Sequence, residues 1–298
     1  MVLFLQAIVS GLTIGAIYAL VAVGYNVVYA STQVFNLAQG QLVMMGVMIT
    51  FQFREVHGWP TVAAIVFAVV CCGAINIAIE RVCVAPLGRV RGGSQGHLAL
   101  PSFVTTLAAS LIVLDIAEII WGSQQHTFAQ FFSLDAFHIH GVNISRQQLF
   151  MIVSALVIVL GYDAFARRTR WGLGLLAMAQ NREGAALRGV PVASARILAF
   201  GLAGAISGLA GVALAPITGG DATLGFNYAL KGFVAMAIGG FGSTSGALLG
   251  GAVLGMSEAM LVTYGNDQYR IYASLGLLLV IFMVRPRGLL GRQSIRTV

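Results

Sequence analysis

Long apolar runs separated by short polar stretches make up nearly all of this chain. A membrane-crossing helix needs about 20 predominantly apolar residues. Runs of that kind occur at Leu3–Tyr29, Val34–Phe53, Thr61–Ile79, Pro101–Trp121, Gln147–Phe165 and Ala193–Ile217. A glycine-broken region, Ala229–Val262, and a final run, Tyr269–Val284, follow. The 34 residues of 229–262 would make about 51 Å of helix against a core of about 30 Å, so this region crosses twice or re-enters. Ile238-Gly239-Gly240-Phe241-Gly242-Ser243-Thr244-Ser245-Gly246 offers a turn in its middle, which predicts two short helices meeting near Gly242–Ser245. The pattern predicts an all-α polytopic transmembrane bundle of about eight to nine spans with broken or re-entrant helices.

Composition agrees. The 298 residues are 58% hydrophobic and 9% charged, where soluble domains carry roughly 25% charged residues. One integral domain over 1–298 is the simplest organisation. Leu3–Tyr29 is uncharged and too long for a signal-peptide core, so it is expected to stay as a span. Cys71, Cys72 and Cys83 form neither a disulfide framework nor a zinc spacing.

The net charge of +7 reads as topology rather than nucleic-acid binding. Thirteen of the seventeen basic residues fall in three groups: Arg81, Arg89 and Arg91; Arg167, Arg168, Arg170, Arg182, Arg188 and Arg196; and Arg285, Arg287, Arg292 and Arg296. The positive-inside rule places all three in the cytoplasm. The same count puts the N-terminus outside unless Val34–Phe53 only re-enters. A glycine-bearing span, a polar break and a short run occur at Leu3–Phe53 and again after Ala193, facing opposite ways as an inverted repeat requires.

Small residues recur at helical spacing: Gly242, Gly246 and Gly250; Gly251 and Gly255; Gly201, Gly204, Gly208 and Gly211; Gly11 and Gly15. Such faces let helix backbones approach in lipid, and some could slide during gating. Two polar breaks interrupt apolar sequence, Phe35-Asn36-Leu37-Ala38-Gln39-Gly40-Gln41 and Thr218-Gly219-Gly220-Asp221-Ala222-Thr223. Two readings stand open: Asn36 or Gln39 caps a helix, or Asn36, Gln39, Gln41, Gly219 and Asp221 line a translocation route. Asp115, Glu118 and Glu258 are intramembrane acids, but no base shares the Asp115–Glu118 span, which favours structural hydrogen bonding or an interfacial position over a proton relay. His126, His138 and His140 sit in the long loop Gly122–Arg146 without acids or cysteines to complete a metal site. Lys231, the single lysine, is followed by Gly232, so no phosphate-binding G-K-[ST] loop exists and any ATP must be hydrolysed elsewhere.

The segment 166–192 holds five arginines between two spans, and Glu183-Gly184-Ala185-Ala186-Leu187-Arg188-Gly189 reads as a short helix ending at a glycine. With Gly11-Leu12-Thr13-Ile14-Gly15-Ala16-Ile17-Tyr18-Ala19-Leu20, Asn36-Leu37-Ala38-Gln39-Gly40-Gln41 and Gly239-Gly240-Phe241-Gly242-Ser243, the chain resembles the LivH-type permease subunits of ABC importers for branched-chain amino acids. Gln39 and Gln41 stand where His and Glu are common in that family, and Gly184 replaces the first Ala of its coupling loop. The resemblance implies a multi-pass subunit of the bacterial inner membrane, not an enzyme, with no cofactor of its own and ATP used by partner chains. It implies a second homologous permease subunit, two ATP-binding subunits and an extracytoplasmic substrate-binding protein. It also implies ATPase coupling through Arg182, Glu183, Gly184, Ala185, Ala186 and Gly189; the packing or gating role of Gly242, Gly246 and Gly250 rests on their spacing alone. Branched-chain amino acids are the implied solute; urea, short amides and aromatic acids, carried by related permeases, stay open. A stand-alone secondary transporter would need a coupling-ion site, which the few intramembrane acids make thin.

Overall fold

The computed structural model describes residues 2–90, 99–129, 131, 136–139, 142–285 and 288–291. Arg91, His140, Arg287, Arg292 and Arg296 lie outside the described residues. In chain order the helices are α1 (Val2–Thr32), α2 (Gln39–Thr50), α3 (Thr61–Ile79), α4 (Ala85–Val90), α5 (Ala99–Trp121), α6 (Arg146–Arg168), α7 (Arg170–Gln180), α8 (Arg182–Leu187), α9 (Val192–Thr218), α10 (Leu224–Gly239), α11 (Thr244–Tyr264) and α12 (Arg270–Val284). An antiparallel hairpin, β1 (Ala136–Ile139) and β2 (Val142–Ser145), precedes α6 in what the sequence suggested was plain loop. Among the described residues six helices are long and apolar enough to cross a membrane, with α10 and α12 shorter apolar helices beside them. The architecture is a polytopic all-α bundle.

α1 is the central post. Gly15 to Val28 is buried without interruption, as expected of a helix that is apolar all round. Gly11 and Gly15 face Gly255 and Gly251 of α11, and a β-carbon at Gly15 would lie 2.6 Å from the Gly251 carbonyl oxygen. Leucine gains little by leaving lipid for protein, so close backbone approach through such faces holds the pair by dispersion. α9 uses the same device twice. Its Gly204 and Gly208 meet Cys72 of α3, while Gly208 and Gly211 meet Gly46 and Val43 of α2. Gly246 and Gly250 pack against Gly239 and Ala235 of α10. Gly242 departs from the expected packing role: its φ of +75° forms the α10–α11 turn, and nothing lies within 4 Å of a β-carbon there.

The run Val34–Phe53 is not one helix. Its first residues are unwound at 33–38, while Gln39, Gly40 and Gln41, placed in the break from sequence, already form the first turn of α2. The unwound backbone is satisfied inside protein: Thr106 Oγ1 donates to Phe35 O (3.2 Å) and accepts from Leu37 N (3.3 Å), and Asn36 Oδ1 accepts from Ala38 N (3.2 Å). α2 then passes through a π-helical turn, Phe51–Val56. A second π-helical turn, Glu80–Val84, joins α3 to α4, so the helix continues past the expected loop start at Arg81.

Candidate functional site

Two regions carry polar chemistry, one at each end of the bundle. The first is the 167–192 segment, which folds as two helices rather than one. Thr169 is extended and its hydroxyl caps α7 by accepting from Gly172 N (3.0 Å). Asn181 caps α8 in the same way, with Oδ1 accepting from Gly184 N (2.9 Å). At the far end Gly189 N donates to Ala186 O (3.0 Å) and Val190 N to Ala185 O (3.0 Å), closing a Schellman motif around Gly189 at φ +83°. The predicted short helix ending at a glycine is therefore present. Ala185 is buried beneath it, whereas Glu183, Ala186 and Gly189 are exposed. Leu187, not singled out from sequence, is 90% exposed.

Arg182 is half-buried and faces α9. Burial, and then the charge of Arg196, pull its guanidinium below the usual value. Arg196 in turn is paired with Glu80, which is fully buried in the π-helical turn after α3, and Arg81 reaches the other Glu80 oxygen at 3.8 Å. α8 packs on α9, where the like charges of Arg182 and Arg196 repel, and the Arg196–Glu80 pair ties α9 to the end of α3.

The second region lies at the opposite end, where α9 finishes and α10 and α12 begin. A cavity of about 690 Å³ opens there between α1, α6, α9, α10 and the start of α12. Behind its wall sits Glu258 of α11, with no exposure. Glu258 Oε2 accepts from Tyr18 Oη (2.8 Å) and Lys231 Nζ (2.8 Å) and pairs with Arg270 Nε (3.3 Å); Oε1 accepts from Ser274 Oγ (2.6 Å). Lys231 Nζ also donates to Tyr18 Oη (2.9 Å). This carboxylate fastens α1, α10 and α12 to α11. Sequence reasoning flagged Glu258 as an unusual acid but not its partners. The available signal was opposite lone charges, Lys231 and Glu258, in two apolar runs joined by a turn.

The other predicted residues have structural surroundings. Asn36 Nδ2 donates to Asn76 Oδ1 (2.8 Å), and Gln39 Nε2 donates to Ser207 Oγ (2.6 Å) and Ala203 O (2.9 Å). Asn36, Gln39 and Gln41 are buried between α2, α3, α9 and α10, and none lines the 690 Å³ cavity. Asp221 starts α10, its Oδ1 accepting from Thr223 N (2.7 Å) and Leu224 N (3.0 Å). Gly219 turns the chain at φ +70° beside His126, whose backbone exchanges hydrogen bonds with Gly220 (2.7 and 2.8 Å). Asp115 and Glu118 are exposed on α5. Among the described residues no cluster of His, Cys, Asp or Glu could hold a metal.

Residues 7–284 match the family described as "Branched-chain amino acid transport system / permease component". The chain is 30% identical to the high-affinity branched-chain amino acid transport system permease protein BraD of Pseudomonas aeruginosa, over 99% of this chain and 98% of that protein. It is equally similar, at 30% and the same coverage, to LivH of Escherichia coli K12. Among solved structures, PsaBC from Streptococcus pneumoniae in complex with Fab shares the fold, with a TM-score of 0.50, 14% identity and coverage of 96% of this chain and 93% of that one. The chain belongs to the family of branched-chain amino acid transport permeases, and is a multi-pass membrane transport subunit rather than an enzyme.

Proposed function

We propose that this chain is the translocating half of an ABC importer for branched-chain amino acids. α1, α2, α3, α5, α6, α9, α10, α11 and α12 are the nine crossings of this reading, with the N-terminus outside and α8 in the cytoplasm. The arginines of the 167–192 segment support that sidedness. α1 with α2, and α9 with α10, form the halves of an inverted repeat. Partners are a second, homologous permease chain in a heterodimer, two ATP-binding subunits and an extracytoplasmic binding protein that supplies most of the selectivity.

The observation that carries the reading is α8. A six-residue helix is too short to persist alone. Here it is capped at both ends and seated on Ala185, and it presents Glu183 and an exposed leucine, Leu187, to whatever docks there. An ATPase that grips this helix moves it as a rigid body; its packing on α7 and α9 passes the displacement to those helices, and the Arg196–Glu80 pair passes it from α9 to α3. Gly184 keeps the Asn181 cap close, since a β-carbon there would lie 3.2 Å from Asn181 Cγ.

The test is to replace Leu187 by Asp and, separately, Glu183 by Arg, and to measure ATP-dependent uptake alongside the amount of permease in the membrane. Both variants should insert at normal levels and lose at least tenfold in uptake. Normal uptake in both would remove α8 from the coupling role.

A further inference from the structure

The cavity away from α8 has two unlike walls. The α10 and α12 side carries Lys231 and Arg270, together with the amide of Asn227 and the phenol of Tyr228. The α6 and α9 side carries Met151, Leu214 and Ile217. No carboxylate is among the described lining residues, because Glu258, which orders both cations, is buried behind the wall. Lys231 and Arg270 keep 12% and 33% of their side-chain surface exposed. Among the described lining residues the charge is therefore basic, and Glu258, the carboxylate that Lys231 and Arg270 share, is out of reach of a ligand.

We propose that this cavity is a binding station for an aliphatic carboxylate, held by its anionic end on Lys231 and Arg270. This rests on the amino acid importer reading and assigns the residues that meet the solute. An ammonium offers three N–H donors and a guanidinium five in a planar fork, the geometry a carboxylate accepts with charge-assisted bonds. Tyr18, Glu258 and Ser274 fix where the two cations stand, so little side-chain entropy is lost when a ligand arrives. The aliphatic body then lies on Met151, Leu214 and Ile217. The volume falls in the range of about 300–1,000 Å³ that holds small ligands. A cationic or neutral amide end finds the wrong charge at the same wall.

The experiment places a reporter thiol at Asn227, which is exposed to the cavity one helical turn before Lys231. Asn227→Cys is made in the assembled importer in native membranes, with the unsubstituted chain as background for Cys71, Cys72 and Cys83. Rates of modification by an anionic and a cationic methanethiosulfonate are compared with those at Gln124→Cys, an exposed site on the nearby loop. The expected anionic-to-cationic ratio is about tenfold above that reference, and Lys231→Met removes most of the difference. In the Lys231-intact protein, L-leucine and isovalerate slow the modification severalfold and L-leucinamide does not. Equal protection by L-leucinamide, or a ratio no different from Gln124→Cys, overturns the carboxylate station while leaving the permease assignment standing. Protection by isovalerate without protection by L-leucine upholds the station and counts against the branched-chain amino acid reading.

Discussion

The pair Glu80–Arg196 joins the start of α9, the helix on which α8 packs, to the end of α3, and its energetics follow from burial. Glu80 is fully buried and Arg196 is 14% exposed, with Arg81, 61% exposed, 3.8 Å from the second carboxylate oxygen. Removing one partner of such a pair strands the other charge, at a cost of about 3–5 kcal/mol. The two deletions should not be equal. Glu80→Gln leaves a guanidinium whose long stem lets it reach water, so about 3 kcal/mol is expected. Arg196→Met leaves a carboxylate with no exposure and only the distant Arg81, so about 5 kcal/mol is expected. The double variant carries no stranded charge and should cost no more than about 3 kcal/mol, less than Arg196→Met alone and well below the about 8 kcal/mol of additive effects. The assay is the apparent thermal midpoint of the purified assembly, scanned at one rate for all four proteins. With shifts of about 2–4 °C per kcal/mol, Arg196→Met should sit at least 10 °C below the parent and no lower in the double variant. Strict additivity of the two single effects would refute the claim that Glu80 and Arg196 share one buried interaction.

Other expectations follow from specific contacts. Gly255→Val puts methyl groups where a β-carbon already lies 2.5 Å from Gly15 Cα, and overpacking of about 3 kcal/mol or more should lower the thermal midpoint and the membrane yield. Gly276→Ala, with nothing within 4 Å of its β-carbon, should leave both unchanged. Asn76→Leu removes both the acceptor of Asn36 (2.8 Å) and the donor to Phe200 O (2.7 Å), and each stranded group costs about 1–3 kcal/mol, read as a lower midpoint. Asn181→Ala removes the α8 cap, costing about 1 kcal/mol locally; proteolysis of the 167–192 segment should quicken while the global midpoint stays put.

Much of the architecture was readable in the amino-acid pattern because hydrocarbon forces helices to declare themselves in long apolar runs. Thr61–Ile79 was delimited from sequence to the residue, and the turn, at Gly240–Ser243, overlaps the expected Gly242–Ser245. The glycine seams were readable too, except that Gly242 serves the turn. Less legible was where helix gives way to unwound chain. Asn36, Gln39 and Gln41 look alike as polar residues in an apolar run, but Asn36 belongs to the break and both glutamines to the first turn of α2. Polar residues that satisfy backbone and polar residues that line a cavity have the same one-dimensional signature. The cavity wall escaped for another reason. Tyr18, Lys231, Glu258 and Arg270 are scattered over 253 positions of one chain, and only the packing of four helices brings them together. Glu80 was hidden because the π-helical turn carries the helix beyond the point where hydropathy ends.

The most direct test of the central claim is uptake of labelled L-leucine into proteoliposomes holding the purified membrane assembly, with binding protein outside and ATP inside. The account predicts uptake that requires both and is lost when α8 is altered at Leu187. Uptake by this chain alone, driven by a proton or sodium gradient and indifferent to ATP, would contradict it.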